Sequence, residues 1–279
     1  EKINAQKIHD KLSIKRTVNI LLFNYLFNHS YKYSRAMQQW LNQNLERFDV
    51  VHLHAAFSIM STITAFKCRR KKIPYVFRPL GTLSDFSLDK GFSSGKKIYF
   101  NLFEKHTLRG ARTIHATSPR EKKDIGKLTG NGNNISVVPI PEIIKHKGIR
   151  EKSKKQLKLG FLSRIHPKKN MEVLFEALAD LSFPWNLQIA GSGGRSYTES
   201  LKNYSKQLDI SDQLTWCGFI NDQQKKHFFD NIDFFVLPSK HENFGIAVIE
   251  ALAHGRPVII SDQVDTAHWV DAYECGMII

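Results

Sequence analysis

The chain has 279 residues, 42% of them hydrophobic and 24% charged, which excludes a disordered composition and allows one large core or two modest ones. Its net charge of +15 lies in the first half, since residues 1–150 hold 27 Lys and Arg against 10 Asp and Glu, whereas residues 151–279 hold 14 against 16. Such an excess favours an anionic partner, either the phosphates of nucleic acid or an anionic membrane leaflet, with a solvated basic surface as the alternative.

The three cysteines are far apart and form no C-x-x-C pair, which argues against a disulfide framework or a structural zinc site. This usage is typical of a reducing compartment. The apolar stretch 18–27 is interrupted by polar residues and is too short to span a bilayer. We therefore expect a cytoplasmic protein, peripheral at the inner face of the membrane where its basic half meets anionic lipid.

Short apolar strands alternate with helical segments along the first half. Amphipathic patterns predict helices over residues 3–12 and 30–48, before a first strand over 49–54. The alternation continues with a helix over 58–72, a strand over 74–77, a loop over 81–95, a helix over 96–109 and a strand over 113–116. This order is typical of β-α-β units, so we predict a doubly wound parallel sheet.

Residues 138–158 contain two prolines and a cluster of lysines with little apolar periodicity, as expected for a linker. The alternation then restarts, with strands predicted over 159–163, 185–190, 214–217, 234–237 and 257–261, and helices over 171–181, 197–208, 223–231 and 245–253. We therefore predict a Rossmann-like N-terminal domain over 1–145, a linker over 146–158 and a second Rossmann-like domain over 159–279. Both domains are expected to be incomplete at their outer ends.

One segment of the second half carries two carboxylates that flank the start of a helix. Glu242 follows a buried strand, and the amides of Phe244, Gly245 and Ile246 open the next helix, where N–H groups and the helix dipole favour an anion. Glu250 lies about 7–8 Å further along this helix, at ~1.5 Å per residue. A diphosphate at the helix start would therefore place a sugar near Glu242 and a ribose near Glu250.

Each of these glutamates also has an ordinary interpretation. Glu242 would cap the helix, and Glu250 would lie on a solvated helical face. However, Glu250 is embedded in the apolar run 249–253, where a carboxylate is unfavourable unless it has a partner. The hydroxyl groups of a ribose would supply that partner.

Two cations, Arg164 and Lys169, follow the strand over 159–163. At the mouth of a parallel sheet they can neutralise the charge on a departing diphosphate without a metal ion. The alternative is a basic turn capped by Asn170. Gly191 begins a glycine cluster after the strand over 185–190, where a backbone can approach a ligand closely, although a plain turn is the simpler explanation.

The stretch 159–261 resembles the C-terminal donor domain of the family four GT-B glycosyltransferases. The shared elements are the 164–169 loop, the 190–193 turn, the 216–219 strand end and the E-x7-E motif at Glu242 and Glu250. The first half resembles the acceptor domain of that family more loosely, through the segments 49–54, 78–83 and 114–118. Two positions depart from the family pattern, since Leu80 stands where such enzymes often have His or Arg, and Ile140-Pro141 replaces Asn-Gly.

The resemblance implies a GT-B fold, in which two Rossmann-like domains face a central cleft, and a retaining hexosyltransferase that needs no metal. It places Glu242 beside the transferred sugar and Arg164 and Lys169 on the diphosphate, as the catalytic residues. The residues implied for donor binding are Glu250, Asn243, Phe244, Gly245, Ile246 and Gly191. His54, at the end of the first strand, is a candidate on the acceptor side, whereas His52 is expected to be structural.

We therefore expect transfer from a nucleoside-diphosphate sugar, as co-substrate and with no further cofactor, to a glycan or lipid-linked acceptor in cell-surface polysaccharide synthesis. The basic N-terminal half would contact an anionic membrane. The alternatives are a basic nucleic-acid-binding protein and a catalytically silent GT-B scaffold. Nucleic acid is not expected as a partner, because no predicted helix carries Arg and aromatic residues on one face.

Overall fold

The computed structural model describes residues 19–26, 32–83, 94–130, 134–140 and 156–279. The chain divides into two compact units, the first comprising residues 1–116 and 121–137, and the second residues 117–120 and 138–279. Most of the predicted linker lies outside the described residues. Within the described ranges, every helix is too short or too polar to span a bilayer.

The first unit is built on a parallel sheet with the strand order β1-β2-β3-β4. Its elements along the chain are α1 (Arg35–Asn44), β1 (Val51–His54), α2 (Ile59–Arg70), β2 (Tyr75–Arg78), α3 (Ser94–Tyr99), α4 (Lys105–Gly110), β3 (Thr113–Ala116), α5 (Pro119–Thr129) and β4 (Ile135–Val137). Leu53, Phe77, Ile114 and Ile135 lie on the four strands and are buried in one core. The predicted parallel sheet is therefore confirmed.

Several elements of this unit differ from the prediction. The helix predicted over 30–48 is shorter, because Ser34 caps α1 by accepting a hydrogen bond from the Met37 N–H (3.2 Å), and a short 3-10 turn, Leu45–Arg47, follows the helix. Helix α5 and strand β4 were not predicted. The helix predicted over 3–12 lies outside the described residues.

A π-helical turn, Phe100–Glu104, joins α3 to α4, so that residues 94–110 form one helix with a single widened turn. Glu104, at the end of this turn, is only 1% exposed. Its Oε2 accepts a hydrogen bond from the Phe57 N–H (3.2 Å), in the loop that follows β1. Ala55 and Phe57 in that loop have φ angles of 70° and 59°, a left-handed conformation that side chains disfavour. The buried carboxyl group thus supports a strained loop.

The second unit contains a parallel sheet with the strand order β10-β9-β8-β5-β6-β7. Its elements are β5 (Leu157–Leu162), α6 (Met171–Ala179), β6 (Trp185–Ala190), α7 (Arg195–Gln207), β7 (Leu214–Gly218), α8 (Asp222–Asp230), β8 (Phe234–Leu237), α9 (Ile246–Ala253), β9 (Val258–Ile260), α10 (Ala267–Ala272) and β10 (Gly276–Ile278). Phe161, Ile189, Phe235 and Ile260 are fully buried on successive strands. Strand β5 starts at residue 157, two residues before the predicted strand and within the predicted linker, and α10 and β10 were not predicted.

Replacing Glu104 by Gln should change how the stability of the first unit depends on pH. Burial raises the pKa of Glu104 from 4.5 to about 7, so folding favours the protonated carboxyl group and wild-type stability falls as the pH rises from about 4.5 to about 7. Glu104→Gln keeps an acceptor oxygen for the Phe57 N–H but does not titrate. The variant should therefore gain on the order of 2 kcal/mol relative to wild type across this range, measured by urea unfolding followed by circular dichroism.

Glu46→Gln is the matched control, because Glu46 lies in the same unit with its side chain 71% exposed. Its stability should follow the wild-type pH dependence closely. A Glu104→Gln variant with an unchanged pH dependence would contradict the assignment of a buried, proton-binding carboxyl group.

Candidate functional site

The strand order of the second unit places two predicted loops side by side. Strands β6 and β7 lie on one side of β5, and β8, β9 and β10 lie on the other, so the strand order reverses between β5 and β8. Parallel sheets of this kind bind ligands at such a switch point, beyond the carboxyl ends of the strands. Residues 163–170 follow β5, and residues 238–245 follow β8. A backbone hydrogen bond from the Lys240 N–H to the Lys168 carbonyl (2.8 Å) joins the two loops. The two motifs singled out in the sequence therefore meet at one edge of one sheet.

Lys169 and Glu242 form an ion pair across these two loops. Lys169 ends a 3-10 turn, Pro167–Lys169, in which the Lys168 N–H donates a hydrogen bond to His166 Nδ1 (3.1 Å). The residue is only 7% exposed, whereas the Glu242 side chain is 23% exposed. Burial, followed by the charges of Arg164 and Lys168, lowers the pKa of Lys169 to about 8. Burial and the neighbouring cations therefore disfavour its charged form, and a second anion beside Glu242 would favour it.

Arg164 and Lys168 complete a group of three cations in the loop after β5. Arg164 is exposed, and its charge lowers the pKa of Lys168, after the larger effect of burial on that lysine. The alternative of a basic turn capped by Asn170 agrees with the structure, because Asn170 is the left-handed C-cap of the 3-10 turn and its backbone N–H donates to the Pro167 carbonyl (3.2 Å). Its side chain makes no capping hydrogen bond at the start of α6. Lys168 was not among the predicted site residues, although its position beside Lys169 in the sequence could have indicated it.

The backbone of Glu242 pairs with the segment 263–265. Its N–H donates to the Gln263 carbonyl (3.0 Å), and its carbonyl accepts from the Asp265 N–H (3.0 Å), in a bridge with the segment after β9. Glu242 does not cap the following helix, since the N-cap residue of α9 is Gly245. The ordinary interpretation of Glu242 as a helix cap is therefore wrong.

The start of α9 is shaped by Gly245, whose φ of 73° is left-handed. A Cβ atom there would lie 3.0 Å from Val264 Cγ1 and 3.3 Å from Val248 Cγ2, so a larger residue would be both strained and crowded. Phe244 is buried edge-on against Trp269, with the ring centroids 5.8 Å apart, and Ile246 is exposed. The first amides of a helix have no partner within the helix, and this end of α9 thus has the backbone of an anion site.

Asn243 lies between Glu242 and this helix start. Its Nδ2 donates a hydrogen bond to Thr117 Oγ1 (2.7 Å), in the short segment 117–120 that belongs to the second unit. The amide side chain is thus engaged with the protein itself, and a role in donor binding remains a prediction.

Glu250 finds its partner within the protein. Its Oε1 accepts from Lys225 Nζ on α8 (2.6 Å), and its side chain is 16% exposed. The interpretation as a solvated helical face is therefore wrong, and the requirement for a partner does not by itself demand a ribose. Lys225 was not predicted, because nothing in the sequence indicates that α8 and α9 place these two residues together.

Gly191 has a structural reason to be glycine. Its φ is 137°, and a Cβ atom would lie 1.8 Å from the Ser163 carbonyl oxygen. The same holds for Gly193, where a Cβ atom would lie 2.0 Å from the Ile165 carbonyl oxygen. The loops after β5 and β6 thus pack backbone against backbone, which places Gly191 beside the cation loop and leaves its contact with a donor as a prediction.

In the first unit, His54 lies exposed at the carboxyl end of β1, as predicted. His52 is exposed on the same strand, and its ring centroid lies 4.3 Å from that of His54 and 5.5 Å from that of His115, so the expected structural role of His52 is not supported. Desolvation, and then the charges of Arg78 and His115, lower the pKa of His54. No group of three His, Cys, Asp or Glu side chains in the described part of the chain is placed to hold a metal ion.

Solved structures share this fold over most of the chain. HepE of Anabaena, crystallised with UDP and glucose, has a TM-score of 0.71 at 18% identity, covering 87% of this chain and 67% of that chain. The lipopolysaccharide outer core galactosyltransferase WaaB has a TM-score of 0.60 at 22% identity, covering 82% and 60%. At these identities the likeness concerns the fold alone, and it confirms the predicted GT-B class.

Curated relatives match parts of the sequence. A protein of the cps region of Klebsiella pneumoniae is 24% identical over 246 residues, covering 84% of this chain and 65% of that protein. An O-antigen chain mannosyltransferase of Salmonella typhimurium is 28% identical over 168 residues, covering 60% and 47%. The chain spans about a quarter to two thirds of the length of the curated relatives it matches.

Two family models divide the chain between them. Residues 142–279 match the glycosyl transferases group 1 family, and residues 19–141 match the glycosyl transferase 4-like domain. The chain therefore belongs to the glycosyltransferases, with a 4-like domain in its N-terminal half and a group 1 domain in its C-terminal half.

Proposed function

We propose that the protein is a retaining glycosyltransferase that moves a hexose from a nucleoside-diphosphate sugar to a glycan or lipid-linked acceptor. The observation that carries the proposal is the Lys169–Glu242 ion pair, which joins the two loops at the switch point of the sheet. The presence of UDP and glucose in the HepE crystals supports a nucleotide-sugar donor for a fold of this kind. Retention of configuration is included because of the E-x7-E motif formed by Glu242 and Glu250.

The donor diphosphate would lie against the first amides of α9. A helix start favours an anion through its N–H groups and dipole, and Gly245 allows a close approach to the backbone. Arg164 and Lys169 would neutralise the negative charge that develops on the departing diphosphate, so the reaction needs no metal ion. Lys169 is suited to this because its charge is buried, and charges interact more strongly in surroundings of low dielectric.

The ion pair also suggests how the two residues divide their roles. Burial, and then the repulsion among Arg164, Lys168 and Lys169, lowers the lysine pKa values, and a diphosphate would relieve the repulsion. As Lys169 turns toward the diphosphate, the Glu242 carboxylate becomes available to a hydroxyl group of the transferred sugar. Glu242 would then lie at the sugar end of the donor, and Glu250 at the ribose end.

The acceptor is proposed to be a surface glycan or its lipid-linked precursor, in polysaccharide biosynthesis. The relatives include an O-antigen chain mannosyltransferase, a lipopolysaccharide 1,6-galactosyltransferase and an enzyme that acts on cellobiosyl-diphosphopolyprenol, which supports this class. The basic first half suits contact with an anionic membrane at its inner face. His54 is the candidate for contact with the acceptor.

Lys169→Met and Glu242→Gln should each lower the kcat of sugar transfer by about 10²–10³-fold, because each removes a group that acts on the diphosphate or the sugar. Initial rates with a panel of UDP- and GDP-hexoses measure this effect. A rise in Tm with the same donors identifies the preferred nucleotide, since a ligand that binds the folded state stabilises it.

A double variant separates chemistry from folding. Removing one member of a buried ion pair leaves the other charge uncompensated, whereas Lys169→Met combined with Glu242→Gln removes both charges. A catalytic role predicts that the double variant stays inactive although its Tm recovers, and a purely structural role predicts that activity recovers with Tm. Lys206→Met, at an exposed position of α7, should keep the wild-type rate. Full activity in both single variants would refute the assignment.

Two single variants, Glu250→Gln and Lys225→Met, test whether Glu250 holds the ribose. If Glu250 holds the ribose, Glu250→Gln should raise the donor KM by roughly tenfold or more with little change in kcat, because a hydrogen bond to a charged group is lost. Lys225→Met should lower Tm but leave the donor KM nearly unchanged, since the carboxylate remains. Steady-state kinetics and thermal unfolding distinguish the two, and an equal rise in KM in both variants would assign Glu250 to the ion pair alone.

A further inference from the structure

Helices α2, α3 and α4 of the first unit pack side by side at a constant offset. The Thr62 and Tyr99 hydroxyl groups share a hydrogen bond (2.7 Å), and Arg69 donates to the His106 carbonyl (3.1 Å). Both contacts join residues that are 37 positions apart. The helices therefore run parallel over this stretch, and the same offset of 37 positions relates Phe66 to Phe103.

This alignment gathers large apolar side chains on the outer surface. Phe66 is 52% exposed, Ile98 60%, Leu102 59% and Phe103 47%. Ile98 and Leu102 are four residues apart on one helix and so lie near the same side of it. We call these four residues the α2–α4 ridge. A contiguous group of exposed apolar side chains is typical of an interaction site.

The helices that carry the ridge also carry positive charge. Lys96, Lys97, Lys105 and Arg109 lie on α3 and α4, and the Arg70 guanidinium lies 5.8 Å from the centre of the Phe66 ring. The sole acidic residue between positions 94 and 110 is the buried Glu104, and positions 59–72 contain no Asp or Glu. These helices thus present cations and apolar groups to the solvent without an exposed carboxylate of their own.

We propose that the α2–α4 ridge docks on an anionic lipid surface, with its apolar side chains in the headgroup region and its cations on the lipid phosphates. A lipid interface offers apolar chains and negative charge in adjacent layers, and therefore matches both features of the ridge. A second copy of the chain would bring two positive surfaces together, which repel each other. The proposal deepens the membrane contact within the proposed function, and no step of sugar transfer uses these residues.

Nucleic acid is the competing occupant. The expectation that no helix carries Arg and an aromatic residue on one face is wrong for α2, where Arg70 lies over Phe66. However, bases that stack on aromatic rings would leave Ile98 and Leu102 without an apolar partner. The lipid surface is favoured because it accounts for all four residues of the ridge.

Vesicle flotation tests the proposal with the chain as it stands. The protein should float with vesicles of phosphatidylcholine and phosphatidylglycerol, and much less with phosphatidylcholine alone. Ile98→Ser combined with Leu102→Ser should weaken binding on the order of tenfold at both low and high salt, because the apolar contact is lost. Lys96→Gln combined with Lys97→Gln should weaken it by a similar factor at low salt and far less at high salt, since salt screens the charge contribution.

The matched controls lie in the second unit. Phe219→Ser combined with Tyr273→Ser removes two side chains that are each 77% exposed, and Lys202→Gln combined with Lys206→Gln removes two charges from α7. Both controls should float like wild type. Equal flotation with neutral vesicles, or wild-type flotation of both ridge variants, would overturn the proposal.

Two further outcomes would replace the lipid surface by another occupant. One is a salt-sensitive DNA mobility shift that both ridge variants abolish while vesicle binding is unchanged, and the other is a concentration-dependent dimer that they abolish. Because flotation needs no sugar donor, failure here leaves the transfer activity untouched. Conversely, an inactive Lys169→Met variant that still floats would show the two properties to be separate.

Discussion

The contact between Lys169 and Glu242 links two loops that begin on neighbouring strands, β5 and β8, although the residues are 73 positions apart in the chain. A buried charge pair is costly to desolvate, and it persists only when its surroundings hold both partners in place. On one side the 3-10 turn and its His166 cap position the lysine. On the other, the bridge to residues 263–265 positions the glutamate. The geometry of the candidate site therefore depends on the strand order that makes these two loops neighbours.

The same site concentrates positive charge. Three cations share one short loop, and burial, followed by the charge of the neighbouring cations, lowers the pKa values of Lys168 and Lys169. A loop with only a structural role would be more stable if its three positive charges were further apart. The helix start of α9 adds a further positive potential, so the proposed diphosphate would gain part of its binding energy from neutralising the charge of this loop.

The sequence predicted the framework of both units better than the detail of the site. The strands over 113–116, 185–190 and 234–237 agree with the structure. Residues 234–237 form a continuous apolar run, as expected for a central parallel strand, whereas the other two strands alternate apolar and polar side chains with the apolar ones buried. Strands β4 and β10 have only three residues and were not predicted, whereas β9, which is as short, was predicted from its apolar run Val258–Ile260. Contacts between distant residues, such as Glu250 with Lys225, depend on how helices pack and leave no local signal. The need for glycine at position 191 could not be predicted either, because it arises from the Ser163 carbonyl oxygen, which lies 1.8 Å from where a Cβ atom would be.

The widened turn at Phe100–Glu104 takes up one extra residue within an otherwise regular helix. Each residue of an α-helix corresponds to a rotation of about 100°, so an extra residue in a regular turn would rotate everything after it. The widened turn absorbs that residue locally, and the helical turns on either side keep their faces, which leaves Thr107 and Leu108 in the core. Deleting one residue from this turn would therefore restore ordinary helical geometry and spare those faces, while it would move or remove the Glu104 carboxyl group beneath the loop after the first strand.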